Sequence, residues 1–208
     1  MRIIQPSIEI MTTLDGDYIL KFIERCGRVC YKSEDKITEG SAEKFVRALI
    51  KSGHESVIEH FNITVKVICN RGISHEIVRH RIGAYSQEST RYVNYKDGIE
   101  VILPNYLIMP NDKVYEVWLN AMADAERHYK KMIALGARPE IARDVLPNAL
   151  KTEVVITYNL RQWRHFFKQR LSRAAHPQIR QIAGMILREF KEQIPVIFED
   201  IGGKENAG

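Results

Sequence analysis

The chain of 208 residues lacks any apolar run close to the roughly 20 residues that a membrane-spanning helix requires. Its first ten residues, MRIIQPSIEI, lack the layout of a secretory signal, because glutamine, proline and glutamate interrupt the apolar stretch. No repeat, low-complexity tract or Pro/Gly/Ser-rich linker divides the sequence. We therefore expect a cytoplasmic protein with one domain over residues 1–208 and no membrane segment.

Cysteine is also scarce, with only Cys26, Cys30 and Cys69. Their odd number and the missing export signal predict reduced thiols. Cys26 and Cys30 lie four residues apart in a helical pattern, which predicts two small core residues on one helix face. A zinc site would need closer pairs and further ligands at set spacing, so no metal is expected.

The sequence has no glycine-rich phosphate loop, which excludes the signatures of a Rossmann unit and of a P-loop. What it does have is a net charge of +5. A mild basic excess suits nucleic acid, and it equally suits small anionic substrates. Because the arginines cluster at 79–91 and 161–173, a pocket is favoured over a diffuse binding surface.

The spacing of apolar residues predicts a mixed α/β (α+β) fold that is rich in helix and has no regular βαβ alternation. Strands are predicted over 2–12 (broken near Pro6), 61–69 and 153–158. Helices are predicted over 16–29, 41–52, 73–82, 112–135, 160–172 and 177–192, with a short one between Pro139 and Pro147. Residues 85–101 are predicted to be loop and extended chain.

The same spacing predicts which helix faces are buried. The first helix should bury Ile19, Leu20, Ile23 and Val29, and the second Phe45, Leu49 and Ile50 before Gly53 ends it. The longest helix should begin at Asn111 and bury one stripe, consisting of Val114, Val117, Trp118, Ala121, Ala125 and Tyr129.

Three polar segments carry the candidate chemistry. The first, HESVIEH from His54 to His60, does not have the HExxH spacing of a zinc protease, which favours a ligand-lining loop over a metal site. The second, RHRIGAYSQESTRY, begins at Arg79 and includes Ser89 and Arg91. It is either a solvated basic turn paired with Glu76 and Glu88 or a site for a flat anionic ligand, since guanidinium groups bind phosphates and planar carbonyl edges through paired donors.

The third segment, residues 158–177, places Arg161, His165 and Lys168 on one helix face opposite an aromatic face. Arg170 lies nine residues after Arg161, about half a turn out of phase on a continuous helix. The two arginines would then serve different ligands, different subunits or opposite sides of the helix end. This phase indicates an active site shared between protomers.

These segments resemble the flavin-dependent thymidylate synthases, the ThyX family. The family signature is RHR, seven intervening residues and serine, as in Arg79 to Ser89. GHES, ARDVLPNALKTEVVITYNLRQWRHFF and QRLSRAAHPQIR follow the family's order, so the resemblance covers most of the chain. It implies the ThyX-type fold, with a central sheet flanked by helices, and a homotetramer with FAD at subunit interfaces. It also implies a methyltransferase that converts dUMP to dTMP, with 5,10-methylenetetrahydrofolate as carbon donor and NADPH reducing the flavin.

The resemblance also implies site residues, by position. The FAD site would consist of His54, Ser56, Arg79, His80, Arg81, Gln87, Asn159, Leu160, Arg161 and His165. The dUMP site would consist of Glu76, Ile77, Val78, Arg79, Gln87, Glu88, Ser89, Thr90, Arg91, Arg143 and Arg170, contributed by different subunits. Ser86, His165 and Glu76 depart from common family patterns. A carboxylate at Glu76 is expected to meet a sugar hydroxyl or an arginine, because it would oppose a phosphate.

Two residues are expected to take part in catalysis. Arg170 would stabilise negative charge on the uracil imide. Ser89 would bind and activate dUMP rather than act as a nucleophile, since no histidine–carboxylate pair is evident beside it. A reduced flavin can donate a hydride without a covalent bond to the enzyme, which suits a chain whose cysteines lie in no suitable setting.

Two other function classes fit parts of the sequence. A nucleic-acid-binding protein would use the arginine clusters as phosphate contacts, with affinity that falls steeply as salt rises. A structural oligomer would use them for interface ion pairs and would gain no stability from nucleotides.

Overall fold

The computed structural model describes residues 1–106 and 113–202, and Asn111, the predicted start of the longest helix, lies outside them. The strands are β1 (Arg2–Ile4), β2 (Ser7–Ile10), β3 (Asn62–Asn70), β4 (Ala84–Gln87), β5 (Glu100–Ile102) and β6 (Lys151–Asn159). The helices are α1 (Gly16–Arg28), α2 (Ser41–Lys51), α3 (Arg71–Ile77), α4 (Lys113–Ala134), α5 (Pro139–Ala142), α6 (Leu160–Arg170), α7 (Pro177–Gln193) and α8 (Pro195–Phe198). No helix within these ranges is long and apolar enough to cross a membrane.

The strands form two sheets. In the smaller sheet, β1 pairs in parallel with β5, with Arg2 opposite Glu100 and Ile4 opposite Ile102. The larger sheet has the order β2-β3-β6-β4, so its centre consists of the two long strands. Alternate residues of β3 and β6 are buried, as expected for strands whose side chains point to opposite faces of the sheet. The mixed, helix-rich α/β fold is confirmed.

The chain divides into two compact units, and β3 and β6 supply residues to both. The first unit comprises residues 1–8, 66–80 and 85–155. Its apolar core consists of Ile99, Val101, Met122 and Leu150, with Ile3, Tyr95, Trp118, Leu146 and Ala149 packed against it. This core fixes α4 and the small sheet beside the chain segment that follows β4.

The second unit comprises residues 9–65, 81–84 and 156–208. Its core is an aromatic cluster around Trp163 on α6, whose indole N–H donates to the Ile63 carbonyl at 3.0 Å. Phe166, Phe167 and Phe190 pack on this indole with ring centroids within 6 Å. The buried rings hold one face of α6 inward, as the sequence predicts, and the polar face stays outside.

A repeated strand–asparagine–helix arrangement places the basic segments. Asn70 ends β3 and its side-chain oxygen accepts a hydrogen bond from the Ile73 N–H at 2.8 Å. Asn159 ends β6 and caps α6 in the same way through the Gln162 N–H at 2.8 Å. Asparagine is among the preferred N-cap residues because it satisfies an N–H without a helical partner. Each cap therefore fixes where its helix begins.

Several predicted details are wrong. The predicted stripe on α4 fails in its first half, since Val114 and Val117 are 59% and 69% exposed. Tyr129, the last residue of the predicted stripe, is buried as predicted, and Met122, which the stripe did not include, is buried as well. In α2, Ala42 and Val46 are buried, whereas Phe45, Leu49 and Ile50 are only partly buried. In each case the neighbouring elements select the buried face, which periodicity alone does not identify.

Some predicted helix and strand boundaries also differ from those in the structure. The helix predicted over 73–82 covers Arg71–Ile77, so the RHR segment lies beyond its end. Val29 lies outside α1, in a 3-10 turn, and is 53% exposed. The ambiguous region 85–101 contains most of β4 and the first residues of β5.

The two cysteines near α1 also do not share a buried helix face. Cys26 is only partly buried, and Cys30 is exposed in the 3-10 turn that follows the helix. The third cysteine, Cys69, is buried near the end of β3, where the strand prediction placed it.

Candidate functional site

The RHR segment begins two residues after α3 ends. Arg79 and Arg81 are exposed, whereas His80 between them is only 6% exposed. The His80 N–H donates to the Ile77 carbonyl at 3.1 Å, and the Tyr85 hydroxyl donates to the His80 carbonyl. The segment therefore presents two guanidinium groups outward and keeps the imidazole inside.

Gly83 follows the RHR segment at a tight approach to β6. A Cβ at this position would lie 2.3 Å from ring carbons of Tyr158 and 3.1 Å from the Thr157 carbonyl oxygen. Tyr158 itself is buried and packs on Trp163 with ring centroids 4.6 Å apart. Only a residue without a side chain fits there, so Gly83 fixes the course of the chain just after Arg81.

Gln87 leads the stretch 87–91, which contains five of the predicted dUMP residues. Its side-chain amide donates to the Ser74 hydroxyl at 2.8 Å and to the Thr152 hydroxyl at 3.3 Å. Ser74 and Thr152 are both fully buried. The amide nitrogen of Gln87 is thus used to attach the stretch to α3 and β6.

Glu88 is held even more firmly. Its carboxylate accepts from the Tyr95 hydroxyl at 2.6 Å and from Lys151 Nζ at 3.0 Å, and its N–H donates to the Glu153 carbonyl at 2.9 Å. The basic turn considered above would have paired Glu88 with the arginines, but Glu88 pairs with Lys151 on β6. The carboxylate therefore faces the protein scaffold.

The ionisation of this group of side chains follows from the same contacts. Burial opposes the charge of Lys151, but hydrogen bonds to Glu153 and Glu88 outweigh it and raise the pKa of Lys151. The hydrogen bonds from Lys151 and Lys66 lower the pKa of Glu153. Burial, and then the hydrogen bond to Glu88, raises the pKa of Tyr95. At neutral pH, Tyr95 is a neutral donor and Lys151 is a cation.

Ser89 and Arg91 differ from the residues before them. Ser89 is partly buried, and its hydroxyl accepts from the Arg91 N–H at 3.3 Å, while its carbonyl accepts from the Tyr92 and Val93 N–H groups. A backbone N–H donor does not activate a hydroxyl as a nucleophile. Arg91 is exposed and lies over the Tyr92 ring at 5.5 Å, whereas Thr90 is buried.

The other arginines predicted to bind ligands lie in a 3-10 turn and on α6. Arg143 is exposed at the start of a 3-10 turn after α5. On α6, Arg161 and His165 are exposed, and Arg170 is partly buried at the last residue of the helix. Arg161 pairs with Glu59 at 2.6 Å. The predicted separation of the polar face of α6 from its aromatic face is confirmed.

Arg164 is a charged residue that the sequence patterns did not single out. It is 1% exposed, donates to Glu55 at 3.0 Å and binds Asp200 through two hydrogen bonds of 2.7 Å each. Burial opposes its charge, but Asp200 and Glu55 raise the pKa of Arg164, and the hydrogen bond from Arg164 lowers the pKa of Asp200. Buried charges need such partners. The only sequence signal was an arginine among the aromatic residues of α6.

The pairing with Arg164 gives Glu55, in the HESVIEH segment, a structural role. Glu55 lies in a 3-10 turn, Glu55–His60, and is a counter-ion for a buried cation. Its neighbours His54 and Ser56 are exposed. Within residues 1–106 and 113–202, no group of three His, Cys, Asp or Glu side chains is placed to hold a metal ion.

The buried cysteine, Cys69, is unsuited to nucleophilic attack. Burial raises the pKa of the Cys69 thiol to about 12, so the reactive thiolate is scarce at neutral pH. Cys26 is partly buried near the end of α1, and Cys30 is exposed just after it.

The predicted site residues are divided between the two units. The first unit contains residues 76–80, 87–91 and 143. The second unit contains His54, Ser56, Arg81, Asn159, Leu160, Arg161, His165 and Arg170. Both sets include exposed guanidinium groups, which are donors suited to phosphates and carbonyl edges.

Comparison with known proteins gives consistent findings. The family model described as thymidylate synthase complementing protein matches residues 17–196. The flavin-dependent thymidylate synthase of Pyrococcus furiosus is 36% identical over 166 residues, which is 78% of this chain and 68% of that protein. The enzyme of the same name from Geobacter sulfurreducens is 36% identical over 84% of this chain and 78% of that protein.

A solved structure has a similar fold. The crystal structure of a UMP/dUMP methylase from Streptomyces cacaoi, bound with 5-Br dUMP, covers 96% of this chain with a TM-score of 0.80. The same alignment covers 96% of that chain, and the sequences are 24% identical.

Proposed function

Because the chain belongs to the thymidylate synthase complementing protein family, with relatives named flavin-dependent thymidylate synthases, we propose that it converts dUMP to dTMP. In this reaction 5,10-methylenetetrahydrofolate supplies the carbon, and NADPH supplies the reducing equivalents. The products are dTMP, tetrahydrofolate and NADP⁺. The observation that carries the proposal is the family match over residues 17–196, with the RHR-to-Ser89 signature inside it.

The nucleotide is held by cations of the first unit. Arg79, Arg91 and Arg143 are exposed guanidinium groups, and they bind the phosphate and the uracil carbonyls through paired hydrogen bonds. The Ser89 hydroxyl is oriented by a backbone N–H and binds the uracil ring. Glu88 takes no direct part here, because its carboxylate is bound to Tyr95 and Lys151.

The flavin fits the chemistry of the exposed basic residues. Arg81 and Arg161 of the second unit supply positive charge for a diphosphate, and His165 and Ser56 of the same unit are exposed polar groups of the proposed FAD site. When bound, FAD supplies the hydride for C6 of uracil. The buried His80 holds the RHR segment in place rather than presenting its ring.

Arg170 has the electrostatic role. It stabilises the negative charge that develops on the uracil imide as the ring is reduced, so that no enzyme thiol is needed. The raised pKa of the buried Cys69 thiol supports a reaction without a covalent bond to that cysteine. Arg170 lies in the second unit, and we propose that it comes to the nucleotide from a neighbouring subunit of a homotetramer.

The experiment that tests the proposal is an activity assay with all four small molecules. Protein purified with FAD is expected to be yellow and to form dTMP from dUMP, methylenetetrahydrofolate and NADPH. The folate product should be tetrahydrofolate, because the hydride comes from the flavin rather than from folate. A colourless protein that makes no dTMP and binds DNA with a steep salt dependence would instead support a nucleic-acid-binding role.

A further inference from the structure

The carboxylate of Glu88 is enclosed by two donors from different parts of the first unit. The Tyr95 hydroxyl donates to Oε1 at 2.6 Å, and Lys151 Nζ donates to Oε2 at 3.0 Å. The side chains of Glu88 and Lys151 are each 15% exposed. Both carboxylate oxygens are thus occupied by protein groups in a mostly buried setting.

These contacts belong to a longer network that reaches three elements. The Tyr95 N–H donates to the Tyr129 hydroxyl on α4 at 3.2 Å, and the two rings pack edge to face with centroids 5.9 Å apart. On the other side, Lys151 of β6 also donates to Glu153 at 2.5 Å, and Glu153 pairs with Lys66 of β3 at 2.7 Å. Glu88 is therefore anchored to α4 through Tyr95 and to the strands through Lys151.

Two residues of the proposed dUMP site, Ser89 and Arg91, follow Glu88 closely in the chain. Ser89 is partly buried, and Arg91 is exposed. Because the Glu88 side chain and its N–H are both fixed, the backbone from which these two groups project has little freedom to rotate. A binding segment held in its bound conformation loses less entropy when the ligand arrives.

We propose that Lys151 and Tyr95 are positioning residues, which hold residues 87–91 in the nucleotide-binding conformation by clamping Glu88. The proposal rests on the proposed binding of dUMP to Ser89 and Arg91. It assigns Glu88 to support of the site rather than to contact with the nucleotide. Lys151 carries more of this role than Tyr95, because its hydrogen bond to Glu88 joins a cation to a carboxylate.

The test uses the FAD-loaded protein and titration calorimetry with dUMP. Lys151→Met removes the charged donor and keeps most of the side-chain volume, and it should weaken dUMP binding about tenfold. Tyr95→Phe removes only the hydroxyl and keeps the ring against Tyr129, and it should weaken binding about threefold. Lys151→Arg restores a donor and the charge, so it should recover most of the lost affinity.

Lys66→Met is the matched control, because Lys66 reaches Glu88 through Glu153 and Lys151. It removes a lysine from the same network and should leave the dUMP affinity within about twofold of wild type, since charges without a direct contact couple weakly. At saturating dUMP, kcat of the Lys151→Met enzyme should change less than its KM, which is the mark of a residue that acts on binding.

A double-mutant cycle distinguishes support from direct contact. If Lys151 acts through Glu88, then Glu88→Gln with Lys151→Met should bind dUMP about as weakly as Glu88→Gln alone. Additive losses, or an unchanged dUMP affinity in both Lys151→Met and Tyr95→Phe, would overturn the inference while leaving the proposed function in place. If the wild-type protein bound no dUMP, the proposed function and the inference would both be overturned.

Discussion

Replacing Gly83 by alanine tests the close approach between the backbone just after the RHR segment and the ring of Tyr158. The added Cβ would lie 2.3 Å from two ring carbons of Tyr158, whereas non-bonded carbons are comfortable at about 3.5 Å. The chain or the ring must therefore move by about 1.2 Å, the difference between these distances. Tyr158 has little room to move, because it is buried against Trp163.

Overpacking of this kind typically costs about 1–3 kcal/mol. For a chain of this size, about 2 kcal/mol corresponds to a fall in melting temperature of roughly 4–8 °C. The measurement is thermal unfolding at a fixed protein concentration, with and without added FAD. Displacement of Arg81, two residues before Gly83, should also weaken FAD retention, which the flavin absorbance of the purified protein reports.

Gly184→Ala is the matched control within α7. A Cβ there would meet no atom within 4 Å, so the same substitution removes only the conformational freedom of glycine. It should stabilise the protein by about 0.5–1 kcal/mol. If Gly83→Ala melted at or above the wild-type temperature while Gly184→Ala behaved as expected, the close approach of Gly83 to Tyr158 would be refuted.

Three further predictions concern the reaction and the ion pairs. Arg170→Ala should lower dTMP formation by at least about a hundredfold while the protein stays folded and yellow, and retained turnover would remove its electrostatic role. A variant with all three cysteines replaced by alanine should keep most of its activity, and a complete loss in folded protein would point to covalent catalysis. The third prediction concerns pH, because pairing with Arg164 lowers the pKa of Asp200 in the folded protein. This ion pair stabilises the folded protein fully above the unfolded-state pKa of about 3.9. The stabilisation is lost as the pH falls through the lower folded-state pKa. Asp200→Asn should therefore melt earlier than wild type at pH 7 but show a smaller further loss towards pH 3, and parallel melting curves against pH would contradict this.

Glu88 and Glu55 show where reasoning from the sequence stops. Both lie inside segments that the sequence marks as functional, and both turn out to be counter-ions for lysine or arginine on distant parts of the chain. The partners are 63 and 109 residues away in sequence. A local pattern does not encode such a pairing, because it depends on which strands and helices pack together.

The helix faces show the same limit. Periodicity correctly placed α1, α2 and most of α4, α6 and α7, because backbone hydrogen bonds and side-chain spacing are local properties. It chose the wrong face for part of α4, where Val114 and Val117 are exposed and Met122 is buried. A helix with apolar residues on several sides is oriented by its neighbours, not by its own sequence.

The amino-acid sequence is sufficient to identify the mixed α/β fold, the RHR-to-Ser89 signature and the family to which the chain belongs. These features depend on the order and spacing of residues, which are read directly along the chain. Only the packed structure shows that His80 is buried, that Gly83 lies against the Tyr158 ring and that Lys151 pairs with Glu88. The physical reason is that burial and ion pairing arise between residues far apart in sequence, so they exist only after the strands and helices have packed.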